Sequence, residues 1–417
     1  MVGRKLDVAF PRVGAAIATG AIEVGGRRNV KPLLLCLSHL RWDFVWQRPQ
    51  HLLSRAAAEF DVVVFEEPIW REDAVPTLEI TRRSGGIRVA VPILPWGVWN
   101  DEAAAAQRKL LERFLDREPS ETRVFWYYTP MAMGFSANVP ADAVIYDNMD
   151  ELSAFRGASP EMLLNEEELF ARADLVFTGG MSLFQAKRGR HPSVHAFPSS
   201  IDAAHFGRAR RADRKEPADQ AAIPGPRLGF FGVIDERLNL DLVEAVAALR
   251  PDWNLMMIGP VAKIDPSSLP QRPNIHWLGS KSYDELPGYL GGWDAGFMPF
   301  ALNEATRFIS PTKTPEFLAA GVPVVSTSIT DVINPYGRKG LVEIADSASD
   351  VVAAIDRVMA RPKAAWLQAV DRQLATGSWD ATWAVMRDLV AGVLREPLGS
   401  AAGAGASVST SAVVSAE

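Results

Sequence analysis

The sequence has little of several features that would define its class. Its 417 residues include a single cysteine, Cys36, which excludes an internal disulfide and a cysteine-based metal site and makes a reducing cytoplasm the expected location. Acidic residues outnumber basic ones, and the formal charge of −6 gives no field that would attract a nucleic-acid backbone. No stretch approaches about 18 uninterrupted apolar residues, so any membrane contact is expected to be peripheral.

The short motifs of several common enzyme classes are also missing. The chain has no P-loop, no Gly-x-Gly-x-x-Gly, no His-Glu-x-x-His and no Gly-x-Ser-x-Gly. The sequence therefore lacks the usual motifs of ATPases, simple dehydrogenases, zinc proteases and hydrolases. The histidines His191, His195 and His205 are not spaced like a helical metal pair, so a zinc site is not expected.

The sequence does contain alternating apolar runs and stretches of helical spacing. Residues 33–37 form a short continuous apolar run, typical of a strand covered on both faces, and similar runs follow at 62–65, 124–128 and 143–146. Helical spacing separates such runs, most clearly at 160–173. The alternation predicts a doubly wound α/β domain.

A second series of the same kind follows a break in composition. Residues 207–227 combine a charge run with Ala, Pro and Gly, as an interdomain linker does. We therefore expect α/β domains at 31–206 and 228–378, with a loosely ordered extension at 1–30 and a disordered tail at 399–417. Ligands of such sheets bind outside the carboxyl ends of the strands, so the cleft between the domains is the expected site.

The most informative segment spans residues 310–325. Ser310 suits a helix N-cap, Pro311 the first helical position and Gly321 the exit, which predicts a helix over 311–320. Its amino end favours an anion, and Lys313 adds a positive charge, so a diphosphate fits there. Glu316 shares the face of Lys313 and could accept hydrogen bonds from a ribose. A simple surface i,i+3 pair explains the same spacing.

This segment resembles the nucleotide-binding helix of the group 1, family 4-like GT-B glycosyltransferases, whose pattern ends in Glu, a short helix and Gly-x-Pro-Val-Val. Residues 198–206, 231–237 and 378–380 are similar to further segments of that family. The loop at 38–51 looks like that of a bacterial polysaccharide branch, which includes teichuronic-acid-type transferases. The resemblance covers roughly residues 31–395.

The resemblance implies the GT-B fold, in which two Rossmann-like domains face each other across a cleft. Residues 31–206 would be the acceptor domain and 228–378 the nucleotide-sugar domain. A helix at 379–398 would cross back onto the first domain.

The resemblance also assigns roles within the nucleotide-sugar domain. Lys313 and Arg237 would neutralise the donor diphosphate, Glu316 would hold the ribose, and Gly232 would let the backbone approach the phosphates. Further contacts with the nucleotide sugar are expected around the helix start, at Ser310, Thr312 and Thr314. Fixed cations and a helix terminus can stabilise a leaving diphosphate without a metal, and no Asp-x-Asp sequence is present. No cofactor is therefore expected.

One position departs from the family pattern. The retaining family 4 pattern has a first Glu eight residues before the second, whereas this chain has Phe308 there. Glu304, Asn303 or Arg307 could cover the contact with the donor sugar. The stereochemical outcome stays open.

Four residues are candidates for acid–base catalysis. Asp147 and Asp150 follow a predicted strand, where a cleft residue should lie, although turn-forming and capping aspartates are common there. His39 and Asp43, after the first strand, compete for the role.

The loop after the first strand also offers contacts to the acceptor or sugar. Arg41 and Arg48 could hold an anionic sugar or a lipid diphosphate, or could be solvated surface residues. Trp42, together with Trp46 and two further tryptophans, Trp96 and Trp99, could form an acceptor platform, with core packing as the alternative.

The sequence thus predicts a cytoplasmic glycosyltransferase and leaves peripheral contact with the cytoplasmic face of the membrane open. It would move a sugar from a nucleotide diphosphate donor, UDP in the first instance, to a bacterial surface polysaccharide or its lipid-linked precursor. Two alternatives stay open: a nucleotide-sugar epimerase of the same fold, and a non-catalytic nucleotide-sugar-binding member of a polysaccharide assembly complex.

Overall fold

A computed structural model describes residues 30–394 of the chain. The extension predicted at 1–30, except Val30, and the tail predicted at 399–417 lie outside the described residues, as do residues 395–398 of the predicted terminal helix. Within the described range, no helix is long and apolar enough to cross a membrane.

The first sheet is built from the amino-terminal part of the described chain. Its nine strands are β1 (Leu33–Ser38), β2 (Asp61–Glu66), β3 (Ile69–Arg71), β4 (Thr77–Arg82), β5 (Arg88–Pro95), β6 (Arg123–Tyr127), β7 (Ala143–Asn148), β8 (Leu175–Thr178) and β9 (Val194–Ala196). The spatial order is β3-β5-β2-β1-β6-β7-β8-β9, and β4 pairs with β5 as the antiparallel exception in a parallel sheet.

The second sheet is wholly parallel. Its six strands are β10 (Arg227–Phe231), β11 (Asn254–Ile258), β12 (Ile275–Gly279), β13 (Ala295–Met298), β14 (Val324–Ser326) and β15 (Val342–Ile344), in the order β12-β11-β10-β13-β14-β15. Each sheet changes strand order about its first strand, so each half is doubly wound. This confirms the predicted α/β class.

The α-helices of the described range connect and cover these strands. They are α1 (Arg48–Ala56), α2 (Asn100–Leu115), α3 (Met133–Ser136), α4 (Glu161–Arg172), α5 (Met181–Lys187), α6 (Ala203–Gly207), α7 (Ala218–Ala221), α8 (Leu240–Leu249), α9 (Leu286–Leu290), α10 (Lys313–Ala319), α11 (Thr330–Val332), α12 (Ala348–Ala360), α13 (Lys363–Leu374) and α14 (Trp379–Val393).

Strand β1 shows why the first apolar run is continuous. Leu34 and Cys36 belong to the apolar core on one face of the sheet, whereas Leu33, Leu35 and Leu37 belong to the core on the other. Because helices cover both faces, every position of the strand is buried and the sequence has no polar alternation.

Helix α14 completes the core of the first sheet although it follows the second sheet in sequence. Ser378 Oγ accepts a hydrogen bond from the Ala381 amide (3.1 Å) and so caps the helix start. Trp379, Trp383 and Met386 then pack into the same core as Leu34. The two halves are therefore tied by a second crossing of the chain.

The predicted linker at 207–227 is exposed along most of its length but is anchored to the second domain at several side chains. Gln220 is fully buried, donates to the Tyr289 carbonyl (3.0 Å) and accepts from Trp293 Nε1 (2.7 Å). Arg210 pairs with Asp371 at 2.8 Å. The segment therefore forms part of the surface of the second domain, because its polar side chains find partners there.

Candidate active site

The carboxyl ends of strands from both sheets meet at a cleft with a cavity volume of about 90 Å³. From the first sheet, Gln47, Arg48, Asp150 and Ser199 line it. From the second sheet, the lining includes Arg237, Ser310, Thr312 and Lys313. The cleft therefore brings together a cationic wall and a carboxylate from opposite domains, at the position where doubly wound sheets bind ligands.

Lys313 is the first residue of α10, and its side chain lies over Gly232. A Cβ at position 232 would come within 2.0 Å of Lys313 Cε, and Gly232 has a φ of +134°. Glycine is required there on both counts, and the space it leaves is occupied by the lysine. Burial, with the nearby Arg237, lowers the Lys313 pKa, so an approaching anion would favour its charged form.

Arg237 does not face the cleft with an unpaired charge. Its guanidinium makes a two-pronged ion pair with buried Asp235, the shortest contact being 2.7 Å. Its Cζ also lies 5.3 Å from the ring centroid of Phe155, in the first domain. Asp235 thus orients the guanidinium and offsets part of its charge.

The start of helix α10 differs from the prediction. Helix α10 begins at Lys313 with Thr312 at the N-cap, and no side chain caps it. Ser310 is therefore not the N-cap; its carbonyl instead accepts a hydrogen bond from Ser199 Oγ across the domains (2.5 Å). The helix begins later because Pro311 and Thr312 continue the loop that lines the cleft.

The other residues predicted around this helix separate into two groups. Ser310 and Thr312 line the cleft. Thr314 is buried, its hydroxyl donates to Met298 Sδ at 3.8 Å, and it is not part of the cleft lining, so its ligand contact stays a prediction. Successive residues of an α-helix are rotated by about 100° about its axis, so position 314 points into the core although position 313 faces the cleft.

Glu316 lies one turn into α10 and is 6% exposed. Burial raises its pKa to about 7, while the charge of Lys313 opposes that rise. Its carboxylate does not reach the cleft lining, so its ribose contact stays a prediction.

Asp147 and Asp150 have opposite environments although three residues separate them. Asp147 is fully buried and paired with Arg48, whose Nη2 lies 2.9 Å from Oδ1 and whose Nε lies 3.1 and 3.2 Å from the two oxygens. Asp147 is not part of the cleft lining, and its pairing with Arg48 gives it a structural role. Its role as a base stays a prediction.

Asp150 faces the cleft. Burial raises its pKa, and the cationic groups of Arg237, Lys313 and Arg48 counteract that effect. A carboxylate with a raised pKa beside a donor-binding wall has the surroundings of a general base.

The competing candidates after β1 do not reach the cleft. Asp43 has an exposed side chain (61%) paired with Arg83 at 2.6 Å, away from the cleft lining, so its catalytic role stays a prediction. Burial, together with Lys263, lowers the His39 pKa to about 4, and the ring is therefore neutral near pH 7. Its buried Nδ1 has no hydrogen-bond partner among residues 30–394. His39 is not part of the cleft lining.

The predicted acceptor contacts have mainly structural partners. Arg41 pairs with Glu66 (3.0 Å) and donates to the carbonyls of Glu67 and Pro68. Trp42 is 8% exposed and packs in the core of the first sheet, so it is unavailable for an acceptor. Arg48 lines the cleft, but it also donates to the Phe197 carbonyl (2.7 Å) besides pairing with Asp147.

Sequence reasoning missed two residues that shape the cleft. Asp235 lies within the segment compared with the family, and its i,i+2 spacing to Arg237 is the signal that could have indicated their pairing. Phe155 follows β7 by a loop and gave no signal, because its contact with Arg237 joins the two domains.

Among residues 30–394, no three His, Cys, Asp or Glu side chains are grouped so that they could hold a metal ion.

Residues 225–361 match the family model described as "Glycosyl transferases group 1". A Bacillus subtilis protein named for teichuronic acid biosynthesis, the glycosyltransferase TuaH, is 28% identical over 257 residues. The match includes 56% of this chain and 63% of that protein, so it spans somewhat less than two thirds of the relative's length.

Solved structures share the fold at low identity. A sucrose-phosphate synthase of Thermosynechococcus elongatus has a TM-score of 0.63 at 15% identity, over 87% of this chain and 99% of that one. An E. coli structure described as trehalose-6-phosphate bound with UDP-2-fluoro glucose has a TM-score of 0.64 at 12% identity, over 87% and 99%. The chain therefore has the GT-B fold and contains a group 1 glycosyltransferase domain at residues 225–361.

Proposed function

We propose that this protein is a glycosyltransferase that takes a sugar from a nucleotide diphosphate donor, UDP-linked in the first instance, and transfers it to a saccharide acceptor. The observation that carries the proposal is the facing arrangement of Lys313 and Arg237 on one wall of the cleft and Asp150 on the other. The group 1 match at 225–361 contains both cations. The UDP-sugar analogue named for the E. coli neighbour supports the choice of base.

In this proposal the second domain binds the donor. The diphosphate lies against Lys313 and Arg237, which stabilise negative charge as it develops on the leaving group. Asp235 holds Arg237 in place, so the cation is oriented before the ligand arrives. Glu316 accepts hydrogen bonds from the ribose once the carboxylate is ionised.

Asp150 acts on the acceptor in the same scheme. Its carboxylate takes the proton from an acceptor hydroxyl as the oxygen attacks the anomeric carbon and the bond to the diphosphate breaks. The raised pKa from burial favours proton uptake near neutral pH. Arg48 lines the same space and would contact the sugar or acceptor.

The acceptor in this proposal is a bacterial surface polysaccharide or its lipid-linked precursor, as the name of the B. subtilis relative suggests. The reaction takes place in the cytoplasm, in peripheral contact with the membrane if the acceptor is lipid-linked. No metal is required, because two fixed cations meet the diphosphate.

Calorimetric titration with UDP, GDP and ADP tests the donor site. We expect one nucleoside diphosphate to bind, and Lys313→Ala to weaken it at least about tenfold, since a charge-assisted contact is lost. Lys339→Ala, on the surface and hydrogen-bonded to Gln373, is the matched control. Unchanged affinity in Lys313→Ala would reject the site.

The metal-independent mechanism has its own test. UDP release from UDP-glucose and other UDP-sugars should persist in EDTA with an acceptor present. Loss of UDP release in EDTA with recovery on adding manganese would contradict the proposal.

A further inference from the structure

Three tryptophans form an exposed cluster at the far edge of the first sheet. The rings of Trp70 and Trp99 stack with centroids 4.9 Å apart and planes at 30°, and Trp96 lies 5.4 Å from Trp99 at 56°. Trp96 is 58% exposed and Trp99 43% exposed. We call these three residues the tryptophan stack. Exposed indole rings contribute little to folding stability, so a group of them indicates an interaction site.

The stack is held rigidly from below. Trp70 Nε1 donates to the Val98 carbonyl (2.8 Å), and the ring packs against the small apolar cluster that contains Leu94. Asn100, directly after Trp99, has a φ of +47°, a left-handed conformation that non-glycine residues adopt at a cost. The chain therefore turns into α2 directly after Trp99, while Trp70 anchors the stack to the apolar cluster.

The stack lies at the carboxyl ends of the strands of the first sheet, as the cleft does. Strands β3 and β5 run parallel to β1 and β7, so the loop after β5 opens where the loops that carry Arg48 and Asp150 open. Four strand spacings separate β5 from β7 in the sheet order, which is about 19 Å at ~4.8 Å per spacing. Exposed Phe44 follows β1 on the path between them.

The charges around the stack decide between possible occupants. Carboxylates outnumber guanidinium groups on the surrounding strands and loops. The acidic residues are Glu67, Glu72, Asp73, Glu79, Asp101 and Glu102, against Arg71, Arg82, Arg83 and Arg88. An anionic lipid surface would be repelled, because membrane attraction depends on clustered cations. A saccharide suits both features, since its C–H face stacks on aromatic rings and its hydroxyls donate to carboxylates.

We propose that the tryptophan stack is a saccharide-binding subsite that holds a distal part of the acceptor chain while the acceptor's end lies in the cleft beside Asp150. The inference deepens the proposed function, on which its role in transfer rests. A distance of about 19 Å requires an oligosaccharide rather than a single sugar. The subsite would therefore favour acceptors that are already several sugars long.

The test measures binding of soluble saccharides to the full chain by calorimetry. The probes are glucose, maltohexaose, cellohexaose and chitohexaose, because stacking uses a ring face that these pyranosides share. We expect at least one hexasaccharide to bind more tightly than glucose, and Trp96→Ala to weaken that hexasaccharide about tenfold. Leu164→Ala is the matched control, since Leu164 is 73% exposed on α4.

Each other result has a defined meaning. Hexasaccharides that bind no more tightly than glucose, or equally well to Trp96→Ala, overturn the proposal. Vesicles of phosphatidylglycerol and phosphatidylethanolamine are tested as well. If the wild-type protein binds them and Trp96→Ala does not, the stack is a membrane contact and the proposal is overturned. UDP is titrated in parallel. If the wild-type protein binds no nucleotide, but binds a hexasaccharide more tightly than Trp96→Ala does, the proposed function is rejected and the saccharide subsite is retained.

Discussion

At the scale of single residues, the structure separates two aspartates that the sequence presents as equivalent. Asp147 neutralises Arg48 inside the first domain, whereas Asp150 points at the cleft. The sequence placed both at the end of a strand, but the partner of Asp147 lies 99 residues away. Pairing across such a separation has no local signal, which is why the prediction kept both as bases.

The two aspartates should respond differently to the same substitution. Asp150→Asn should abolish UDP release from the donor in the presence of acceptor while leaving the free energy of unfolding within about 0.5 kcal/mol. Asp147→Asn should lower the free energy of unfolding by about 3–5 kcal/mol, because it leaves the Arg48 charge buried and unpaired. Urea unfolding and an activity assay on both variants check this. A fully stable Asp147→Asn protein would contradict the structural role.

Glu316 gives the donor site a pH dependence. Its pKa is raised to about 7 by burial, so its carboxyl group is largely protonated below that pH. A protonated carboxyl loses acceptor capacity toward the ribose hydroxyls, so UDP affinity should be highest above pH 7 and fall as the pH drops through it. We expect a decrease of about fivefold between pH 8 and pH 6.

Calorimetry across that pH range checks the expectation, with Glu316→Gln as the control. The glutamine does not titrate, so the part of the pH dependence due to Glu316 should disappear in this variant. An identical pH profile in both proteins would show that Glu316 does not contact the ribose in the ionised form.

At the scale of elements, a carboxylate of one domain caps a helix of the other. Asp331 Oδ1 accepts from the Ser182 amide (3.0 Å) in the first turn of α5, whose own N-cap, Gly180, has no side chain to do so. A Cβ at position 180 would lie 2.2 Å from Asp331 Oδ2 and 2.8 Å from Ser310 Cβ. The close approach of the two domains therefore depends on a glycine.

Gly180→Ala should separate the domains at this contact. The methyl group collides with both Asp331 and Ser310, so the closed arrangement loses stability and the radius of gyration in solution scattering should increase. Gly189→Ala is the control, because a Cβ there meets nothing within 4 Å. Equal scattering curves for the two variants would show that the domains are held together elsewhere.

Among the elements, the sequence predicted strands best where both faces are covered. The run at 33–37 became β1 with one residue added, and the run at 62–65 lies within β2. The prediction omitted β3, β4 and β5, as well as β9 and β15. β4 has exposed residues with no clear alternation, and β5 contains Pro92 and follows a glycine pair, which reads as a turn.

At the scale of the whole molecule, the last helix of the described chain packs into the core of the first domain. Helix α14 comes last in the described range but fills the core on one face of the first sheet, where Trp383 meets Phe60 and Trp126 at centroid distances of 6.3 and 6.2 Å. The resemblance to GT-B proteins predicted both this helix and its crossing onto the first domain. The burial of one face by a distant segment is a tertiary property that local pattern does not encode.

This arrangement makes the first domain depend on the far end of the described chain. Trp383→Ala should lower the free energy of unfolding by about 3–5 kcal/mol, because it opens a cavity between α14 and the sheet. Val385→Ala, two residues along the same helix and 54% exposed, should change it by less than about 0.5 kcal/mol. Urea unfolding followed by circular dichroism measures both. If the two variants lost equal stability, α14 would be a surface strap, and the first domain would fold without it.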